Sequence, residues 1–316
     1  MKETMKRGDR LMTTEHDGMR AWAMTLAHRA VKDIKRDGFR QLRSYVDMGA
    51  LLARSPGQKL FFSTAQRLLE KADSAYCPLV QQLLEEVGEN QLCTLAVNLG
   101  LEALAAGVVE LRRQNAPVWL ECVRLDGPSQ AAEYHQAVLR ARKTGTRLFC
   151  ADCAGAEAAQ ALLRHVSFDC RESLFFLRIF PDALTPELVR ALRAAENAVP
   201  LLTVPEGAGP DSCAHAAQWL RSEKLFYGMF YRLPDGAKLD TEAVRGLAQW
   251  TRLCILWAGG ERAGEKALQK AVSAQRKAPD APVFLMDWQS DSRALEKYIS
   301  AGASVHWSDS GETLRR

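Results

Sequence analysis

The sequence predicts a parallel β/α barrel, complete or partial, preceded by an all-helical block; a doubly wound open sheet is the second reading. Three observations lead there. From residue 117 onward, short apolar runs recur at intervals of roughly 27 residues, the length of a βα unit. Amphipathic patterns such as 129–143, 186–196 and 262–277 fill the gaps between them. Before residue 117 the periodicity is helical throughout, with no strand-like alternation.

The elements follow in chain order. Residues 1–20 are charged throughout and read as a mobile tail. Residues 21–36 can form an amphipathic helix with Trp22, Leu26 and Val31 on one stripe. A second helical pattern, 39–53, ends at Arg54-Ser55-Pro56-Gly57, where Ser55 suits an N-cap and Pro56 the first helical position. Residues 58–71 carry Leu60, Phe61, Ala65, Leu68 and Leu69 on one face, and 74–87 carry Tyr76, Leu79, Val80, Leu83 and Leu84. The longest pattern, 90–113, has a continuous stripe of Leu92, Leu95, Leu99, Ala103, Ala106 and Val109. Asn98 and Glu102 interrupt that run, which argues for a buried helix rather than a membrane span. Residues 114–117 form the hinge into the alternating region. Its strands are expected at 118–125, 147–153, 174–180, 200–205, 225–233, 253–258, 282–288 and 303–307. The division is therefore a tail (1–20), a helical block (21–116) and a barrel (117–316), packed as one unit without a low-complexity linker.

Composition narrows the function classes. In 316 residues the net charge is only +4, which gives no footprint for nucleic acid or an anionic membrane surface. The first 20 residues lack the apolar core of a signal peptide, so a cytoplasmic location is expected. The eight cysteines fall mostly inside expected strands and helices, which suits reduced core residues better than disulfides.

In a barrel the chemistry sits where strands end and βα loops begin. The charged residues there are Arg124, Asp126, Asp152, Arg178, Glu206, Arg232 and Asp287. They are the pocket candidates, and Arg178 and Arg232 could grip an anion through bidentate hydrogen bonds. Asp126 reads better as a turn residue ahead of an N-cap at Ser129 than as a catalytic carboxylate. Cys150 and Cys153 form a lone Cys-x2-Cys, half of a tetrahedral metal site, with Cys122 as the nearest further thiol. No catalytic residue is evident, and no Gly-rich phosphate loop, Gly-x-Ser-x-Gly or His-Glu-x2-His occurs.

Several stretches together resemble the radical S-adenosylmethionine superfamily, in particular a bacterial group with a helical preface. They are Ser55-Pro56-Gly57-Gln58-Lys59-Leu60-Phe61-Phe62, Asn98-Leu99-Gly100, and strand 174–180 followed by Pro181-Asp182-Ala183-Leu184-Thr185-Pro186. Tyr227-Gly228-Met229-Phe230-Tyr231-Arg232-Leu233-Pro234, residues 282–291 and the ending Val305-His306-Trp307-Ser308-Asp309-Ser310-Gly311 complete the pattern. The resemblance implies a barrel with a Cys-x3-Cys-x2-Cys loop after its first strand, holding a [4Fe–4S] cluster. Here Asp126-Gly127-Pro128 stands in that place, with Cys122 alone before it. The family's Gly-Gly-Glu-Pro on the second strand corresponds to Cys150-Ala151-Asp152-Cys153. Tyr298 stands where an auxiliary-cluster cysteine is often placed.

The expectation is a barrel that has lost its cluster and S-adenosylmethionine site. It would be a non-catalytic pseudoenzyme acting as a binding protein or as the partner of an active relative. The alternatives are an enzyme that uses the barrel mouth for other chemistry, or a radical enzyme with its cluster relocated to Cys122, Cys150 and Cys153.

Overall fold

Among the described residues, nine strands in one sheet set the architecture, and the helices are placed around it. The structure, a computed structural model, describes residues 2–70, 74–114, 118–233, 239–258, 262–277, 281–299, 304–309 and 312–313. The expected hinge therefore lies, from residue 115 on, outside the described residues.

Helices come first. They are α1 (Lys2–Asp37), α2 (Phe39–Leu52), α3 (Pro56–Leu68) and α4 (Tyr76–Glu86). Next runs a continuous rod of α5 (Glu89–Val97), a π-helical segment (Asn98–Gly107) and α6 (Val108–Arg113). Residues 2–20 belong to α1, so the tail expected from their charge is helical; nothing in that stretch breaks a helix, since it lacks proline. Ser55 and Gln58 form the reciprocal cap of α3 with Pro56 at its first position, as their spacing predicts.

The alternating region follows: β1 (Val118–Leu125), α7 (Ser129–Lys143), β2 (Leu148–Cys153), α8 (Ala156–Asp169), β3 (Leu174–Ile179), α9 (Pro186–Ala194) and β4 (Ala198–Thr203). It continues with α10 (Ala214–Ser222), β5 (Gly228–Arg232), α11 (Thr241–Trp250), β6 (Leu253–Trp257), α12 (Arg262–Lys277), β7 (Phe284–Asp287), α13 (Trp288–Ile299), β8 (Ser304–Asp309) and β9 (Glu312–Thr313). β4 starts before the expected Pro200, which lies inside it opposite Leu177 of β3. A proline within a central strand is what displaced the expected boundary. Ser129 opens α7 rather than capping it; Pro128 is the cap residue.

The strand order is β7-β6-β5-β4-β3-β2-β1-β8-β9, with β9 alone antiparallel to its neighbour. β8 returns to pair with β1, but β7 stays at the opposite edge. The result is a parallel half-barrel with helices around it, open along the seam between β7 and β8 among the described residues.

Two cores flank the sheet. Outward-facing side chains such as Phe149, Phe175, Leu177 and Leu202 pack beneath the helices. Inward-facing Leu120, Cys122, Cys150, Leu201, Phe230 and Ile255 fill the lumen with Val108 and Leu111 of α6.

The rod α5–π–α6 closes the floor, where the strands begin. Its polar side chains meet backbone groups that the sheet leaves open. Gln91 Nε2 donates to the Ala198 carbonyl at 3.1 Å, and its Oε1 accepts from the Phe226 N–H at 2.7 Å. Further along, Asn98 Nδ2 donates to the carbonyls of Arg171 and Ser173 just before β3. Gly107 then touches the α7–β2 turn: a Cβ there would lie 2.7 Å from the Gly145 carbonyl, and Gly145 itself has φ +104°. The rod thus crosses beneath β5, β4, β3 and β2 in turn. By length and composition Glu89–Arg113 could cross a membrane; here it lies under the barrel with Asn98 and Glu102 fully buried.

Candidate functional site at the barrel mouth

Side chains alternate across a strand, so residues two apart share a face. Cys122 faces the lumen, hence so does Arg124, at the end of β1. Strand register then places Arg124 beside Asp152 on β2 and Asp152 beside Arg178 on β3. One level below, Cys122, Cys150 and Phe176 form the corresponding row. The mouth therefore carries a charged row of alternating sign above a thiol and aromatic layer.

The charges resolve into neighbouring pairs. Arg178 Nη1 lies 3.3 Å from Asp152 Oδ2, and its guanidinium carbon sits 4.0 Å above the centre of the Phe230 ring. Arg124 Nε donates to Asp126 Oδ1 at 2.9 Å, and Arg232 Nη1 to Glu206 Oε1 at 2.9 Å. Arg232 also stands 5.4 Å over the Trp257 ring. Glu206 is largely exposed, and such exposed pairs contribute at most about 1 kcal/mol each. Arg178 Nε and Thr203 Oγ1 are both buried without a hydrogen-bond partner in the structure.

Asp287 does not join the mouth. It pairs with Leu256, which packs in the outer core, and so faces outward from β7. Its Oδ1 accepts from the Ser290 N–H at 3.0 Å, capping α13, and the residue is fully buried. A carboxylate at the end of a strand and one at the start of a helix look the same in sequence when strand runs directly into helix.

Aromatic rings occupy the lumen on the β5–β7 side. Phe230 contacts Trp288 edge-on, centroids 6.3 Å apart, and lies 6.4 Å from Trp257. Trp288 is 9 % exposed, so this side of the mouth is packed. Trp257 and Phe230 were not among the site residues expected from sequence. The alternation Gly228, Phe230, Arg232 could have found Phe230, because it shares the face of Arg232.

The three cysteines are divided. Cys122 and Cys150 are register partners in the lumen, and burial, then a hydrogen bond between them, pushes the Cys122 thiol well above its ordinary value. Cys153 packs in the outer core, and burial raises its thiol as well. An odd spacing within a strand puts two residues on opposite faces.

A four-iron cluster needs three thiolates that converge on one point. β1 ends at Leu125 and α7 starts at Ser129, so the connection is Asp126-Gly127-Pro128, without a cysteine. Two buried lumen thiols and a third on the far face of the sheet do not converge on one point and do not fit that group.

No family model matches the chain, and no curated protein matches it. Among solved structures it is similar to SuiB of Streptococcus suis, with 11 % identity and a TM-score of 0.42 over 57 % of this chain and 52 % of that one. The chain thus spans about half the length of SuiB. It is also similar to a Pseudomonas aeruginosa protein described as an aldo-keto reductase, with 14 % identity and a TM-score of 0.38 over 60 % of this chain and 84 % of that one. A third is 2,3-dimethylmalate lyase, with 12 % identity and a TM-score of 0.34 over 64 % of this chain and 80 % of that one. Likenesses at this level assign neither family nor activity.

Proposed function

We propose that the chain is a cytoplasmic, non-catalytic half-barrel of the radical S-adenosylmethionine kind. It acts as a binding or partner protein, beside an active relative. The observation that carries this reading is the connection Asp126-Gly127-Pro128, which takes β1 straight into α7 where the resemblance calls for a cluster loop. Without a cluster there is no electron to cleave the sulfonium, and so no radical. The split of Cys153 from Cys122 and Cys150 supports the same reading, because it leaves a relocated cluster two ligands at most in the lumen.

One observation favours a second reading, an enzyme with other chemistry at the mouth. Arg124, Asp152 and Arg178 are consecutive on one register row and face the lumen together.

Iron and sulfide content after anaerobic reconstitution tests the proposal. Colourless, folded protein with neither element is the expected result. About four irons with matching sulfide, and a broad visible charge-transfer band, would overturn it.

A further inference from the structure

The barrel floor holds a second constellation of chemistry-bearing side chains, independent of the mouth. Its centre is Glu102, fully buried within the π-helical segment, a type of helix that recurs at functional sites. Both of its carboxylate oxygens are met from α1. Arg20 Nη1 donates to Oε1 at 2.9 Å, and His16 Nε2 lies 3.1 Å from Oε2. A carboxylate that takes the N–H of one imidazole nitrogen fixes the ring and its tautomer, and leaves the other nitrogen its lone pair. That is the outer-shell arrangement found behind metal-binding histidines.

Two carboxylates stand beside this oriented ring. Asp17 follows His16 on α1, and Glu172 comes from the turn before β3. One donor atom from each of His16, Asp17 and Glu172 lies within 4.8 Å of the other two. Glu172 is held in place from both sides. Asn98 Nδ2 bonds the carbonyls of Arg171 at 2.8 Å and Ser173 at 3.1 Å, and Arg142 Nη2 donates to Glu172 Oε2 at 2.9 Å. A cavity of about 600 Å³ adjoins the group, with Asp17, Arg20, Thr94, Ser167, Arg171 and Glu196 in its wall. Asp17, Glu102, Glu172 and Glu196 bring four carboxylates among the guanidiniums of Arg20, Arg142, Arg147 and Arg171.

We propose that His16, Asp17 and Glu172 bind a divalent transition-metal ion, with an open coordination position facing the cavity. One imidazole and two carboxylates suit zinc, iron or manganese better than calcium or a thiophilic ion. Three protein ligands leave a fourth position for water or a small ligand, unlike a closed structural site. The ion also joins α1 to the turn before β3, and so ties the helical block to the barrel.

The test is calorimetric titration of zinc into the full chain after chelator treatment, with thermal unfolding recorded in parallel. One equivalent of zinc should bind and raise the unfolding temperature. Asp17→Asn, at an exposed position, and His16→Asn should each weaken binding at least about tenfold. Glu102→Gln keeps all three ligands but loosens the ring, and should weaken binding by about 10- to 100-fold. Circular dichroism shows whether each variant is folded. Cobalt in place of zinc should give a spectrum without a thiolate charge-transfer band. No zinc binding by the folded protein, unchanged affinity in both Asp17→Asn and His16→Asn, or a thiolate band placing the ion on cysteine would overturn the proposal.

Discussion

The floor and the mouth of the half-barrel treat polar groups in opposite ways. At the floor Gln91, Asn98 and Glu102 are buried, and each bonds residues far away in the chain. At the mouth Arg124, Glu206 and Arg232 are exposed, and Arg124 and Asp126 bond within the same strand end. Barrels of this architecture ordinarily place chemistry at the C-terminal ends of their strands and stability at the other end. Here the tightly specified polar network lies at the floor. The mouth carries two solvated pairs and the half-buried Arg178–Asp152 pair over a packed aromatic lumen. What separates the two ends is burial, because a buried charge must be matched in place while an exposed one is left to water.

Substitutions can break this contrast, and the largest effect should come from the floor. Glu102→Ala removes the partner of Arg20, whose side chain is only 12 % exposed, and should cost about 4 kcal/mol in denaturant unfolding. Phe230→Ala opens the aromatic lumen under Arg178 and should cost about 3 kcal/mol. Asp152→Ala, in a half-exposed pair, should cost about 1 kcal/mol, and Glu206→Ala less than about 0.5 kcal/mol. Equal losses at Glu102 and Glu206 would erase the contrast.

A pH dependence sharpens it further. His135 of α7 stacks on His165 of α8 with ring centroids 5.2 Å apart, and lies 3.3 Å from Asp169. Burial lowers its pKa below the ordinary 6.5, outweighing the pull of Asp169. The fold therefore prefers the neutral ring. That contribution is complete above 6.5 and is lost as pH falls from there through the lower folded value. The unfolding temperature should fall as pH drops below about 6.5, and His135→Gln should flatten that slope. An unchanged slope in the variant would assign the effect to other groups.

Much of the fold was legible because it rests on periodicity. The repeat of strand and helix located the eight parallel strands seen among the described residues, and the Ser55/Gln58 spacing located a cap. What escaped depends on partners distant in sequence. Asp287 reads as a strand-end acid, yet its face is set by pairing with Leu256. The floor network joins His16 and Arg20 to Glu102, more than 80 residues away, and no local pattern announces it. The split of the cysteines was different: the spacing of Cys150 and Cys153 within one strand already implied opposite faces.

A chain without a cluster, as proposed, has packed core rather than a cofactor chamber beneath its mouth. Alkylation of the native protein, with each cysteine followed by mass spectrometry, tests it most directly. All eight cysteines are buried. Cys122 and Cys150 should react no faster than Cys254, which lies fully buried beneath the helices, and all should react only as the protein unfolds globally. Rapid labelling of Cys122 and Cys150 in folded protein, ahead of Cys254, would show a lumen open to ligands and contradict the account.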